Sequence, residues 1–389
     1  MRSSLLIVLL TAPVTFAFTW VVWRLGLRFK LHPPIRERDV HTTPKPRVGG
    51  VAMFLGVLVA FALSSQVRYF SAIWSHPATV WALLGAAALI VVVGLLDDLW
   101  DLDWMIKLGA QFIAAGIVVG LGGAQILAIP FGSAIVVSSW LSFTISVFAI
   151  VIVMNAVNFI DGLDGLVASV ALISNVVFFA YTYLVMRDLG ASSYSSLAAF
   201  IAVALIGVCA GFLPLNWNPS KLFMGDSGAL LIGLLMATSA VLFTGDLDPN
   251  LVIDKDVFGR SQLLGAFIPI LLPVVLVLLP LLDFGMAVIR RLARGASPFS
   301  PDRKHLHHRM LDMGHTDRDA VLVFASWTAV VSIGVLLMYI GTAQGWPGGY
   351  SIGVGYVLIG VAACLAVTLL PAPPPRGDTA DPLPPAAHD

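Results

Sequence analysis

Charge is what this chain has least of. Only 11% of its 389 residues are Asp, Glu, Lys or Arg, against about a quarter in an ordinary soluble domain. That shortage excludes a water-soluble globular protein. Together with 58% hydrophobic residues and a mean hydropathy of +0.93 it leaves a polytopic membrane protein. Glutamate is almost missing: Glu37 stands alone beside 21 aspartates. The short Asp arm suits tight loops, helix caps and metal sites better than salt-bridged helix faces. The two cysteines, Cys209 and Cys364, both lie in apolar runs, which excludes a disulfide framework and makes them packing residues. A formal net charge of zero points to no nucleic-acid partner. No internal repeat and no soluble domain are evident.

What the chain does have is apolar stretches long enough to span a bilayer as helices. Eleven are expected, centred near 13, 57, 88, 113, 148, 174, 204, 236, 276, 331 and 361. The fold class is therefore all-α, one membrane domain over 1–370, followed by a Pro-rich disordered tail at 371–389. The first stretch, Ser3 to Trp23, reads as a retained span rather than a signal peptide, because a basic loop follows it at once. Alternating the sides puts 17 of the 22 Lys and Arg on one face, which the positive-inside rule makes cytoplasmic. On the other face, 124–137 alternates weakly around Pro130 and Gly132, as a small hairpin would.

Every Asp or His cluster falls on the basic face, at the end of an apolar span. Asp97-Asp98-Leu99-Trp100-Asp101 ends the third. On a continuing helix Asp97 and Asp101 share a face, and like charges that close call for a cation among them. Magnesium fits, since it takes hard oxygen ligands and leaves room for phosphates. A solvated turn would not need four Asp in seven residues. After the fifth span comes Asn155-Ala-Val-Asn158-Phe-Ile-Asp161-Gly-Leu-Asp164-Gly165. Helix capping explains one such Asp, but not two with two amides and two glycines.

A third cluster, Asn216 to Gly228, holds Lys221, Phe223 and Gly225-Asp226-Ser227-Gly228 just before a span. The start of that helix favours an anion, Asp226 offers a cation ligand, and Phe223 offers a flat ring for a base. The fourth, Asp302-Arg303-Lys304-His305-Leu306-His307-His308-Arg309, looks like a polyanion site. Adjacent histidines seldom converge on one zinc ion. In the first loop Lys45 and Arg47 precede Gly49-Gly50. Phosphate clamping and topology anchoring both account for them. Oxygen donors, an anion-favouring helix end and cationic loops at one face suit metal-assisted phosphoryl transfer, with a lipid as one substrate. A transporter would instead place ionisable groups near the bilayer midplane in related halves, and a passive scaffold would not need Asp226 or the histidines.

HTTPKPRVGG, GLLDDLWDL, NAVNFIDGLDGL, LFMGDSG and DRKHLHHRM occur in that order over residues 35–320. On these blocks the chain resembles the polyprenyl-phosphate N-acetylhexosamine-1-phosphate transferases, of the WecA/TagO type in the MraY superfamily. The resemblance implies transfer of a sugar-1-phosphate from a UDP-N-acetylhexosamine to polyprenyl phosphate. The products are polyprenyl-diphosphate-sugar, which initiates a cell-envelope polysaccharide, and UMP. It implies a multi-pass plasma-membrane enzyme with its active site on the cytoplasmic face. It also implies Mg²⁺, with Mn²⁺ as a substitute, and leaves a homodimer open. By similarity Asp226 is the main Mg²⁺ ligand, with Asp161 or Asp164 near metal and nucleotide, while Phe223 stacks the uracil. His305, His307, His308, Lys45 and Arg47 hold phosphates, with Arg303, Lys221, Asn155 and Asn158 also facing substrate. Asp97 and Asp98 serve the lipid phosphate, as positioning and metal-shell groups. A lipid phosphate with a second pKa of about 6 is already ionised and leaves a general base little to remove. Direct attack and a covalent Asp intermediate both remain open. The muramoyl-pentapeptide transferases carry a contiguous His triplet. His305-Leu306-His307-His308 departs from it and favours GlcNAc, whereas Arg36 to Asp39 departs from the more basic family pattern.

Overall fold

The computed structural model describes residues 2–31, 45–131, 133–136, 138–188, 196–246 and 314–369, with isolated positions between 285 and 295. Ten helices carry these residues: α1 Arg2–Arg28, α2 Gly49–Gln66, α3 Pro77–Trp100, α4 Trp104–Gly120, α5 Ser139–Phe159, α6 Leu166–Asp188, α7 Leu197–Asn216, α8 Gly225–Asp246, α9 Asp317–Ala343 and α10 Gly349–Leu369. Nine are long and apolar enough to cross a membrane, and α4, with 17 residues, is shorter. Ten of the eleven expected spans thus appear as helices, and the one near 276 lies outside the described residues. The expected hairpin forms as β1 Ala128–Phe131 and β2 Ser133–Val136, antiparallel with Ala128 opposite Val136. Among the described residues the other regular elements are helical, as expected of a multi-span membrane protein.

Burial ranks the helices. α8 is central, with 83% of its apolar window buried, while α10 is peripheral at 17%. A helix apolar all round belongs inside a bundle, and α8 packs against α2, α3, α5 and α7. Its first turn fits so closely against α3 that a Cβ at Gly94 would lie 2.5 Å from Ser227 Cα. Only glycine allows that approach.

The α3–α4 junction departs from expectation. The helix does not continue through Asp101. α3 stops at Trp100, and Asp101 takes a left-handed φ of +55° while its N–H donates to the Asp97 carbonyl at 2.9 Å. Asp103 then caps α4, accepting from the Met105 N–H at 2.8 Å. So the Asp97/Asp101 face never forms: Asp97 and Asp98 stay on α3, Asp101 ends that helix and Asp103 starts α4.

α9 starts with a capping box between Thr316 and Asp319. The Asn218 amide donates to Asp317 and Arg318 donates to the Asn218 carbonyl, at 3.4 and 3.1 Å. That start therefore lies at the same end of the bundle as the α7–α8 loop.

Candidate active site

Three loops and four helix ends meet where α3 and α5 finish and α4 and α8 begin. The loop before α2 runs beside the one before α8. Phe223 N–H donates to the Pro46 carbonyl, Gly49 N–H to the Phe223 carbonyl and Gly50 N–H to the Met224 carbonyl, each at 3.0 Å. This short ladder brings Lys45, Arg47 and Phe223 together across more than 170 residues of chain.

The N-terminus of α8 holds an anion, and that anion belongs to the protein. Asp98 accepts from Asp226 N–H at 3.0 Å, from Ser227 N–H at 3.2 Å and from Ser227 Oγ at 3.0 Å. A helix N-terminus favours such a carboxylate. Both Asp98 oxygens are engaged, and the helix end that was expected to receive a substrate anion is closed. Gly225 makes the fit: its φ is +68°, and a Cβ there would run into the Asp98 carboxylate and the Arg47 carbonyl.

With its backbone fixed in this way, Asp226 turns its side chain to two donors from different helices. Asn158 of α5 donates to Oδ1 at 3.0 Å, and Lys107 of α4 reaches Oδ2 at 3.3 Å. Lys107 also holds Asp97 Oδ2 at 3.0 Å, while Asp97 Oδ1 accepts from Leu102 N–H at 2.8 Å. One ammonium thus bridges two carboxylates brought from α3 and α8. The cation required among the aspartates is in part Lys107, a residue the motif reading passed over. Its signal was present in the sequence: Lys107 is the single charge in the apolar segment 104–120, and such a residue is costly unless it works.

A second cluster lies alongside. Asp164 is buried, and its Oδ2 accepts from Ser220 N–H at 2.9 Å and from Lys45 Nζ at 3.3 Å. Lys45 also donates to Ser220 Oγ at 3.1 Å and sits 5.1 Å from the centre of the Phe223 ring. Asp164 therefore ties two loops together, and Gly165, with φ +81°, makes the turn into α6. Desolvation pushes the Asp161 carboxyl up to about 7. The Asp226 charge adds to this, Arg47 opposes it and Asp164 adds further.

Other expected residues fall elsewhere. Asn155 pairs with Gln111 of α4, donating to Gln111 Oε1 and to the Val151 carbonyl, and so is occupied within the bundle. Lys221 turns outward, its ammonium 5.3 Å from the Trp23 ring of α1. Arg303, His305, His307 and His308 lie outside the described residues. Sequence reasoning also missed Gln111, which belongs to no motif, and gave no role to Ser220 and Ser227, which stand inside the Asn216 to Gly228 cluster.

The carboxylates brought together here are Asp97 and Asp226, which share Lys107, and the Asp226 charge also reaches Asp161. Among the described residues no three His, Cys, Asp or Glu side chains converge as an all-protein metal cage.

Comparison with known proteins shows the family. The sequence profile of glycosyl transferase family 4 matches residues 80–244, a stretch that runs from α3 into α8 and includes Lys107 and Asp226. The chain is 39% identical over 337 residues to decaprenyl-phosphate N-acetylglucosaminephosphotransferase of Mycobacterium leprae, covering 86% of this chain and 83% of the relative. With the enzyme of that name from Mycolicibacterium smegmatis it shares 37% over 374 residues, 95% and 89% of the two chains. A probable undecaprenyl-phosphate N-acetylglucosaminyl 1-phosphate transferase of Bacillus subtilis is 29% identical over 86% of this chain and 83% of its own. A membrane bundle with this carboxylate centre and relatives of this extent belongs to glycosyl transferase family 4.

Proposed function

We propose that the chain transfers GlcNAc-1-phosphate from UDP-GlcNAc to a polyprenyl phosphate at the cytoplasmic face of the plasma membrane, releasing UMP. The observation that carries this reading is the charge at the site. Four carboxylates (Asp97, Asp161, Asp164 and Asp226) lie beside three cations (Lys45, Arg47 and Lys107), while a fifth, Asp98, is held by the start of α8. Such an excess, set at the ends of membrane helices, calls for a divalent ion carrying phosphates. The relatives' names supply the sugar and the lipid class.

Asp226 and Asp161, with Asp97 beside them, would hold Mg²⁺. When bound, the ion neutralises charge on the transferring phosphate. The chain's own residues position the rest. Lys107 and Asn158 fix the Asp226 carboxylate. Lys45 and Arg47 provide positive charge for a diphosphate, and Phe223 a face for the base. In the step itself a lipid-phosphate oxygen attacks the sugar-bearing phosphorus. A new P–O bond forms, the bond from that phosphorus to the bridging oxygen breaks, and UMP leaves with that oxygen. The lipid phosphate is ionised at neutral pH, with a second pKa of about 6, so no side chain has to take a proton. The engaged oxygens of Asp98 favour this direct attack over a covalent aspartyl intermediate, because a nucleophile must be free to reach phosphorus.

The test is UMP release by purified protein with decaprenyl or undecaprenyl phosphate, comparing UDP-GlcNAc with UDP-MurNAc-pentapeptide, with Mg²⁺ and with a chelator. Turnover of UDP-GlcNAc that the chelator stops is the expected result. Turnover of the pentapeptide substrate alone would move the chain to the peptidoglycan branch. Silence with both, from folded protein, would overturn the reading.

A further inference from the structure

The Asp226 carboxylate takes one donor from α4 and one from α5, so its geometry depends on how these two helices are set against each other. Lys107 and Gln111 lie one turn apart on α4, and Asn155 and Asn158 lie three residues apart on α5, so each pair shares a face. At the site end the two faces meet Asp226 through Lys107 and Asn158. One turn further into the bundle they meet each other. Asn155 Nδ2 donates to Gln111 Oε1, and Gln111 Nε2 returns a long contact of 3.5 Å to Asn155 Oδ1. Gln111 is 4% exposed, and no motif of the sequence includes it.

A buried amide in a membrane bundle is costly without a partner and specific about where that partner lies. Sliding α4 along α5 by one residue moves its side chains about 1.5 Å along the axis and by about 100° around it. That would leave both amides unpaired. The same slide would take Lys107 away from the carboxylate that Asn158 holds.

We propose that Gln111 and Asn155 act as a register lock: a positioning pair that sets α4 against α5 so that Lys107 and Asn158 converge on one Asp226 carboxylate. Asn155 is thereby reassigned from substrate binding to positioning. The proposal rests on the phosphotransfer reading of the site for its catalytic consequence, but not for its geometric one.

The experiment uses the full-length protein and four variants: Gln111→Leu, Asn155→Leu, the two together, and the exchanged pair Gln111→Asn with Asn155→Gln. Each is followed by thermal unfolding, by UMP release, and by acylation of Lys107 with an amine-reactive reagent read by mass spectrometry. The exchanged pair keeps the total side-chain length and the hydrogen bond. The double leucine variant keeps apolar packing and removes both buried amides, so it remains folded if a single change does not.

In the folded leucine variants Lys107 is expected to label severalfold faster, and kcat to fall about tenfold with KM for UDP-GlcNAc little changed. The exchanged pair is expected to return both readings toward wild type. A double leucine variant that unfolds at the wild-type temperature but stays slow separates positioning from stability. Wild-type labelling of Lys107 in that variant would overturn the proposal. So would an exchanged pair as slow and as readily labelled as the single variants. If the wild-type protein releases no UMP, the phosphotransfer reading fails, while Lys107 labelling still decides the register lock.

Discussion

The two ends of the bundle both pair charges, and they do so in opposite ways. At the end away from the site, Arg187 and Asp188 are neighbours on α6. The guanidinium donates through Nε and Nη2 to one carboxylate oxygen at 2.9 and 2.8 Å, and Tyr339 of α9 donates to the other at 2.9 Å. One cation meets one anion, and both carboxylate oxygens have a partner. At the site end, Lys107 meets Asp97 and Asp226 from two other helices, 10 and 119 residues away in sequence. Two anions share one cation, with Asp161 close by. Local pairs complete themselves, whereas pairs assembled from distant helices can be left in excess, and excess charge is what binds a further ion.

Removing the shared acceptor should break the comparison most. Asp226→Asn keeps the side chain's shape but not its charge, and leaves Lys107 with Asp97 alone. Turnover is expected to fall on the order of a thousandfold, with the unfolding temperature little changed. UMP release and thermal melting on the same sample check both. An Asp226→Asn variant that turns over within about tenfold of wild type would remove Asp226 from the centre of the mechanism.

Lys107→Met sharpens the comparison from the other side. It removes the internal cation and leaves Asp97 and Asp226 facing each other. The rate is expected to fall about a hundredfold. At the same time divalent-ion affinity should rise, because a larger charge excess attracts the ion more strongly. Titrating the ion against tryptophan fluorescence reads that affinity without turnover. Weaker ion binding in the variant would mean that Lys107 helps to build the ion's cradle rather than competing for it.

How much of this was legible beforehand follows from the kind of signal each part leaves. Spans are written in runs of composition, so ten of the eleven expected appear as helices among the described residues, and the hairpin around Pro130 appears as well. The aspartates were legible because charge near hydrocarbon is conspicuous. Their partners were not. Nothing local in Asp98 says that it will close the start of α8, 128 residues away, since that depends on Gly94 allowing the approach and Gly225 the turn. Asp101 misled, because the pattern of a continuing helix says nothing about the left-handed residue that ends it. Asn155 misled differently: it stands in a motif, but its partner Gln111 belongs to none. Lys107 stands in the sequence as one charge at the start of an apolar segment, and counting it toward the cytoplasmic face says nothing of the two carboxylates it holds.

Gly225 tests the part that was not legible. Gly225→Ala puts a Cβ at φ +68°, where it meets the Asp98 carboxylate. A left-handed alanine alone costs about 1 kcal/mol, and displacing the Asp98 hydrogen bonds adds about as much again or more. The melting temperature is expected to fall by several degrees, and the residual folded protein should be about tenfold slower. An alanine variant as stable and as fast as wild type would show that the Asp98 closure of α8 is incidental.

The smallest effect is expected at the far end, and there the smallness is the point. Arg187→Ala removes a cation as surely as Lys107→Met does, from a pair with shorter contacts. Yet Arg187 is solvent-exposed, its partner is the next residue on the same helix, and Asp188 keeps its bond from Tyr339. Exposed ion pairs add little, because water and salt screen them and the freed carboxylate is rehydrated at once. UMP release is expected to stay within about twofold of wild type and the melting temperature nearly unchanged. Measured side by side, Lys107→Met and Arg187→Ala therefore ask whether catalytic sensitivity follows contact distance or the number of helices that a charge joins. Equal losses in the two would mean that the charge excess at the site end is not what distinguishes it. A large loss at Lys107 alone would locate the function in the pairing that three helices must assemble.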